Sequence, residues 1–218
     1  MPHRDHEDAL RRRRYGRDSQ EFARVLNLSD ALFAIAMTLL VFSTMEASGV
    51  RLDTTMGAVS GQGAELIAFV VSFAVVANFW WVHHRFFAVL GFVEPGLIAI
   101  NLALLGAVAL VPYPTSLLGR DPTLRGTVVP YLLLLSLIAI LHPGLLLRAG
   151  AVDAWWRPMP QGLFRWVVAG WGSSTAVTLL ALAVSFAAPV AGLVMLLLTW
   201  PAEALVRRRA PDAYAVWG

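Results

Sequence analysis

Residues 166–202 read WVVAGWGSSTAVTLLALAVSFAAPVAGLVMLLLTWPA, 37 positions without a charge. A single helix of that length would measure about 55 Å at 1.5 Å per residue, against a hydrocarbon core of about 30 Å. The stretch must therefore fold back on itself. Pro189, after Ala187 and Ala188, is the natural break, because its ring removes a helical N–H and crowds the preceding turn. Trp166 to Ala202 thus predicts a tight hairpin of two membrane-spanning helices.

Four more apolar runs lie upstream, each near the length of about 20 residues that a span requires. Val25–Met45 is interrupted only by Asp30, and Leu66–Val82 carries no charge. Pro95–Gly119 follows, with Pro112 and Pro114 predicting a kink or early stop near its far end, and then Gly126–Leu147. Composition agrees: 58% of the 218 residues are hydrophobic and 14% charged, where a soluble domain carries roughly 25% charge. The expected fold is an all-α membrane protein with six transmembrane helices. It divides into an Arg-rich arm (1–23), the six-helix domain (24–206) and a tail (207–218). The polar insert Glu46–Glu65, rich in Gly, Ser and Thr, is expected to be an external loop. No apolar core with a small-residue cleavage site directly follows the polar first twenty residues. The first run is therefore expected to stay as a transmembrane helix.

Charge orients the bundle. All 17 basic residues are arginine, and six spans would place 14 of them on the side that holds both termini. Arg51, Arg120 and Arg125 fall on the other side. The positive-inside rule then puts both ends in the cytoplasm. Trp80, Trp81, Trp155, Trp156, Trp166 and Trp200 lie near helix ends on that side, as an interfacial belt would. The arginines cluster beside apolar runs rather than forming one basic surface, so nucleic acid is not an expected partner. Without cysteine, disulfides and thiolate metal sites are excluded.

Asp30 is the most informative residue. A charged aspartate within a span costs about 3 kcal/mol or more unless it is paired, which points to a functional or network role. The alternative is an interfacial acid, since Asp30 lies only about 9 Å past Arg24 along the helix. The up-and-down topology brings Arg24, Ser29 and Asp30 to the depth of His83, His84 and Arg85, and Asn101 returns to the same level. These groups are expected to tie three helices together by hydrogen bonds. On the other side of the first helix, Leu28, Ala31, Ile35, Thr38 and Phe42 share a sector of about 80°, and Asp30 points roughly 120° from its centre. By periodicity alone that stripe is equally a lipid-facing or packing surface.

The order of residues then carries a resemblance. The first helix reads RVLNLSDALFAIAMTLLV (24–41), the second ends NFWWVHHR (78–85), and the third holds Asn101 and VPYPTSLLG (111–119). These three motifs resemble those of the lysosomal and bacterial potassium-channel family with six-helix repeats. The family's first-helix hallmark is an Arg followed by Phe-Ser-Asp. Here Leu28 stands for that Phe, and Tyr113 stands where Phe is common; both changes are apolar. The resemblance covers residues 24–119, and the later helices agree in number and hydrophobicity.

The resemblance implies a potassium-selective channel of the bacterial cell membrane. It implies a homotetramer of single-repeat chains, with K+ as permeant ion and no cofactor. It makes Ile35 the hydrophobic constriction and Thr38 a hydroxyl ring beside it, with Ala31 and Phe42 on the same pore-lining stripe. It makes Arg24, Ser29, Asp30, His83, His84 and Asn101 the structural network behind the pore helix. Three other readings of the residues stand beside it. One is a secondary transporter, for which Asp30 is too near one face and no internal repeat is seen. Another is a membrane metal or haem protein using His83, His84 and His142, although adjacent helical residues point about 100° apart and chelate one ion poorly. The third is a purely structural membrane protein.

Overall fold

The computed structural model describes residues 14–47, 63–160 and 162–214. Most of the expected external loop and the first part of the Arg-rich arm lie outside these residues, as do the last four residues of the tail. Among the described residues, six helical segments are long and apolar enough to cross a membrane. Span 1 is α1 (Gln20–Ala47) and span 2 is α2 (Gly63–Ala88). Span 3 is divided into α3 (Pro95–Leu110) and α4 (Pro112–Arg120). Span 4 is α5 (Arg125–Val152) and span 5 is α6 (Leu163–Ser185). Span 6 joins α7 (Pro189–Met195), a 3-10 turn (Leu196–Leu198) and α8 (Thr199–Arg209).

Prolines set the breaks. Span 3 breaks at Val111, where Pro112 opens α4 at its first turn. The span 5–6 turn falls at 186–188, and Pro189 opens α7. Near the middle of span 6 the chain tightens at Leu196–Leu198, just before Pro201, which has no amide to give the carbonyl four residues back. Several helices run past the apolar runs that predict them. α1 starts at Gln20, where the Ser19 hydroxyl accepts the Phe22 amide at 3.2 Å and caps the first turn. α2 continues to Ala88, so His83, His84 and Arg85 are helical.

α1 packs on α2, α3 and α4; α3 packs on α5, α5 on α6, and α6 on span 6. Spans 3 and 4 are the most enclosed, and the last span is the least. Gly192 lets the terminal hairpin close: a Cβ there would meet the Ala181 carbonyl and the Ser185 Cβ, each at 2.7 Å. Small residues at such contacts matter in lipid, where helix association depends on close packing more than on water exclusion.

One face is stitched by backbone hydrogen bonds that the helix pattern did not announce. Strand β1 (Tyr15–Gly16) pairs antiparallel with β2 (Phe92–Val93). Gly91 donates to Ala154 at 2.8 Å, and Trp156 donates to Val89 at 2.9 Å. The N-terminal approach, the span 2–3 link and the span 4–5 link thus meet on one face. Tyr214, after the last helix, is buried against Gly170 near the start of α6, which brings the described C-terminal end to that face too.

Candidate functional site

α1 presents two faces. Ser29, Phe33, Ala36 and Leu40 are fully or nearly fully buried against the bundle. Leu28, Ala31, Ile35, Thr38 and Phe42 are all exposed, with Ile35 at 53% and Phe42 at 58%. The stripe read from periodicity is therefore an open surface pointing away from the chain's own core. Thr38 donates its hydroxyl hydrogen back to the Ala34 carbonyl at 2.8 Å. Its oxygen lone pairs remain available on the outer side of the helix.

Behind α1 lies a chain of hydrogen bonds. The Asn101 amide donates to the Ser29 hydroxyl at 3.0 Å, and the Ser29 hydroxyl donates to the Val25 carbonyl at 2.9 Å. The His83 Nε2 stands 2.8 Å from the Asn101 Oδ1. That oxygen can only accept, so His83 is protonated on Nε2. Its ring packs against Phe33 and Phe87, with centroids 5.4 Å and 4.6 Å away. Spans 1, 2 and 3 are thereby tied at one depth.

Asp30 makes a different contact from the one its surroundings predict. Its Oδ1 accepts the Trp80 indole N–H at 2.9 Å. Arg24 is exposed, and His84 is an exposed ring beside Trp80 and Trp81 rather than a hydrogen-bonding partner. His83 and His84 therefore occupy different faces of α2. The structure brings His83 to His142 instead, ring centroids 6.2 Å apart, with His142 Nδ1 donating to the Ile138 carbonyl at 3.0 Å. Trp80 was grouped with the interfacial belt. Its depth could have found it: Trp80 is five residues before Arg85 and Asp30 six after Arg24, so the two sit nearly level.

Two further polar supports join the spans, and of their residues only Thr115 lies in a motif quoted above, VPYPTSLLG. In the half of the bundle away from His83, Thr115 donates to Ser72 at 3.0 Å and Ser72 to the Tyr131 hydroxyl at 3.1 Å. All three residues are buried, joining spans 2, 3 and 4. On the stitched face, Glu94 caps α3 by accepting the amides of Gly96 and Leu97, each at 3.0 Å. It also accepts from Arg148 Nε of span 4 at 2.8 Å. Burial pushes the Glu94 carboxyl up. The Arg148 hydrogen bond, the two amides and the Arg148 charge outweigh it and hold the group below its usual 4.5.

A known family matches this same part of the chain. The family model described as endosomal/lysosomal potassium channel TMEM175 matches residues 24–112, from Arg24 through the Val111 break. A potassium channel of Chamaesiphon minutus is 32% identical over 142 residues, covering 62% of this chain and 70% of that protein. This chain is a member of the TMEM175 potassium-channel family. A potassium channel of Streptomyces collinus is 36% identical over 100 residues; the match spans about half of that protein, 48%, and 46% of this chain. The crystal structure of a lysosomal potassium-selective channel TMEM175 homologue from Chamaesiphon minutus superposes with a TM-score of 0.72 at 26% identity. It covers 86% of this chain and 99% of the solved one. The six-span fold is thus shared with a solved relative, and membership sets the protein among ion channels rather than enzymes.

Proposed function

We propose that four copies of this chain form a potassium-selective pore lined by α1, with Ile35 as the hydrophobic constriction and Thr38 as a hydroxyl ring one turn further along. The observation that carries the reading is the division of α1. Asp30 and Ser29 turn inward to Trp80 and Asn101, and the Ile35–Thr38 stripe is left uncovered by the rest of the chain. A single bundle of this shape does not enclose a channel with one helix, so the exposed stripe calls for copies of itself across an axis. Four branched side chains at one level form an apolar gate that can dewet, and hydroxyl oxygens beside it can replace part of an ion's hydration shell.

The sequence has no Thr-Val-Gly-Tyr-Gly filter segment, so selectivity in this reading belongs to the helix stripe. The arginine-rich stitched face is cytoplasmic, and the membrane is the bacterial plasma membrane. The decisive experiment is ion flux from liposomes containing the purified protein, with potassium and sodium gradients compared. Faster potassium flux is expected. Equal fluxes, or none from correctly assembled protein, would overturn the proposal.

A further inference from the structure

Between span 2 and the hairpin of spans 5 and 6 runs a groove of about 1200 Å³. α2, α5, α6 and span 6 line it, far from the Ile35 stripe of α1. It extends along α2 from Ala64 to Arg85, a distance of about 32 Å at 1.5 Å per residue, close to the thickness of a hydrocarbon core. Ile67, Val71, Val194 and Leu197 are exposed apolar walls along the way. The threonine hydroxyls of the wall are spent within the protein: Thr175 lies between the Ala139 and Trp171 carbonyls, Thr178 donates to the Ser174 carbonyl and Thr199 to the Leu196 carbonyl, which leaves Asn78 and Ser174 as polar side chains part-way along. An occupant therefore meets an apolar surface over most of the membrane's depth.

The mouth on the stitched face has the opposite character. Arg85, Arg207 and Arg208 line it, with Glu203 as the accompanying carboxylate. Glu203 pairs with Arg207 at 2.9 Å, so a positive excess remains. Trp81 and Trp200, both more than half exposed, lie one to two turns deeper, at the level where indole rings meet lipid headgroups.

We propose that this groove holds an anionic phospholipid. Its acyl chains lie along the apolar wall, and its phosphate rests at Arg207 and Arg208. Charge favours this occupant over a second copy of the chain. At this mouth, unlike along the uncharged Ile35 stripe of α1, a neighbouring subunit in the same orientation would set its own arginine-rich end against Arg207 and Arg208. A phosphodiester brings the complementary charge on the required acyl body, as basic pockets between spans do for anionic headgroups. The assignment does not depend on conduction.

Native mass spectrometry of the full chain in detergent tests it, with phosphatidylglycerol and phosphatidylcholine of identical acyl chains added separately. The parent should retain phosphatidylglycerol preferentially. The R207Q/R208Q variant, changed only at exposed side chains, should lose that preference by about five-fold per arginine, the worth of one basic group near an anionic lipid surface. Val71→Trp, which fills the groove, should lower retention of both lipids. Equal retention of the two lipids by the parent would overturn the proposal, as would an R207Q/R208Q protein that still prefers phosphatidylglycerol. Displacement of the lipid by millimolar inorganic phosphate alone would mean a small-anion site, and the groove assignment would fail. A Val71→Trp protein with reduced oligomer mass and undiminished lipid retention would mark the groove as a subunit contact, which also overturns it.

Discussion

At the scale of single residues, the indole of Trp80 is an apolar ring with one donor, and that donor meets the half-buried carboxylate of Asp30 within the apolar run of α1. Trp80→Phe keeps the ring and deletes the N–H. Hydrogen bonds to charged groups contribute about 1.5–3 kcal/mol, so the variant should melt several degrees lower while its potassium-to-sodium flux ratio stays unchanged. A selectivity change without a stability change would place Asp30 on the ion path instead. Asn101→Leu strands the His83 Nε2 in a buried site and removes the donor to the Ser29 hydroxyl, which keeps its own bond to the Val25 carbonyl. An unpaired buried group costs about 1–3 kcal/mol, so this variant should also melt below the parent. Helix geometry places Ser29, His83 and Asn101 at one depth from sequence alone. It does not choose partners within that level, because pairing depends on the rotation of each helix and on side-chain reach. That is why the cations Arg24 and His84 looked like natural partners for Asp30 and an indole took the place.

At the scale of elements, the breaks were legible and the clasps were not. Pro112 and Pro189 act through local sterics, which a sequence displays directly. The β1–β2 pairs join positions 78 and 76 residues apart and the Glu94–Arg148 bond positions 54 apart, and no local pattern encodes such distances. Glu94 nonetheless precedes Pro95 and caps α3 from the position where a side-chain acceptor is favoured. Its folded-state carboxyl lies below its ordinary 4.5. Its contribution to stability is therefore complete above that value and is lost as pH falls through the folded one. Glu94→Gln should lower the melting temperature at neutral pH and flatten its dependence as pH falls below 4.5, where the parent's should drop. An unchanged acid limb would show that other carboxylates dominate it. In the terminal hairpin, Gly192→Val forces a side chain against the Ala181 carbonyl. Overpacking of this kind costs about 1–3 kcal/mol, to be read as a lower thermal midpoint with span 6 more open to protease.

At the scale of the whole molecule, the exposed stripe on α1 is the feature that a single chain leaves unexplained. Six spans with arginines on one face could be read from hydropathy and charge because lipid imposes both patterns over long segments. The pore could not, because the same exposed apolar helix suits lipid, and only an assembly with an axis distinguishes the two. Mass measurement in mild detergent and in native membranes should give four chains; a stable monomer in both would remove the pore altogether. Given an assembly, Ile35 and Thr38 test its lining as a pair. Ile35 is 53% exposed and lies about 16 Å along α1 from Arg24, near mid-membrane. Ile35→Asn should make the narrow ring easier to wet, raising conductance and lowering potassium-over-sodium discrimination. Thr38→Ala removes an oxygen whose hydrogen is already committed to Ala34. It should weaken selectivity and leave the constriction, and so the conductance, close to that of the parent. Neither side chain is buried in the protomer, so neither variant should change the protomer's stability by more than the surface norm of about 0.5 kcal/mol. If both conduct and select as the parent does, α1 does not line the pore along this face. The family fold would then carry its ions along another surface, and a scan of the exposed faces of the remaining spans would be needed to find it.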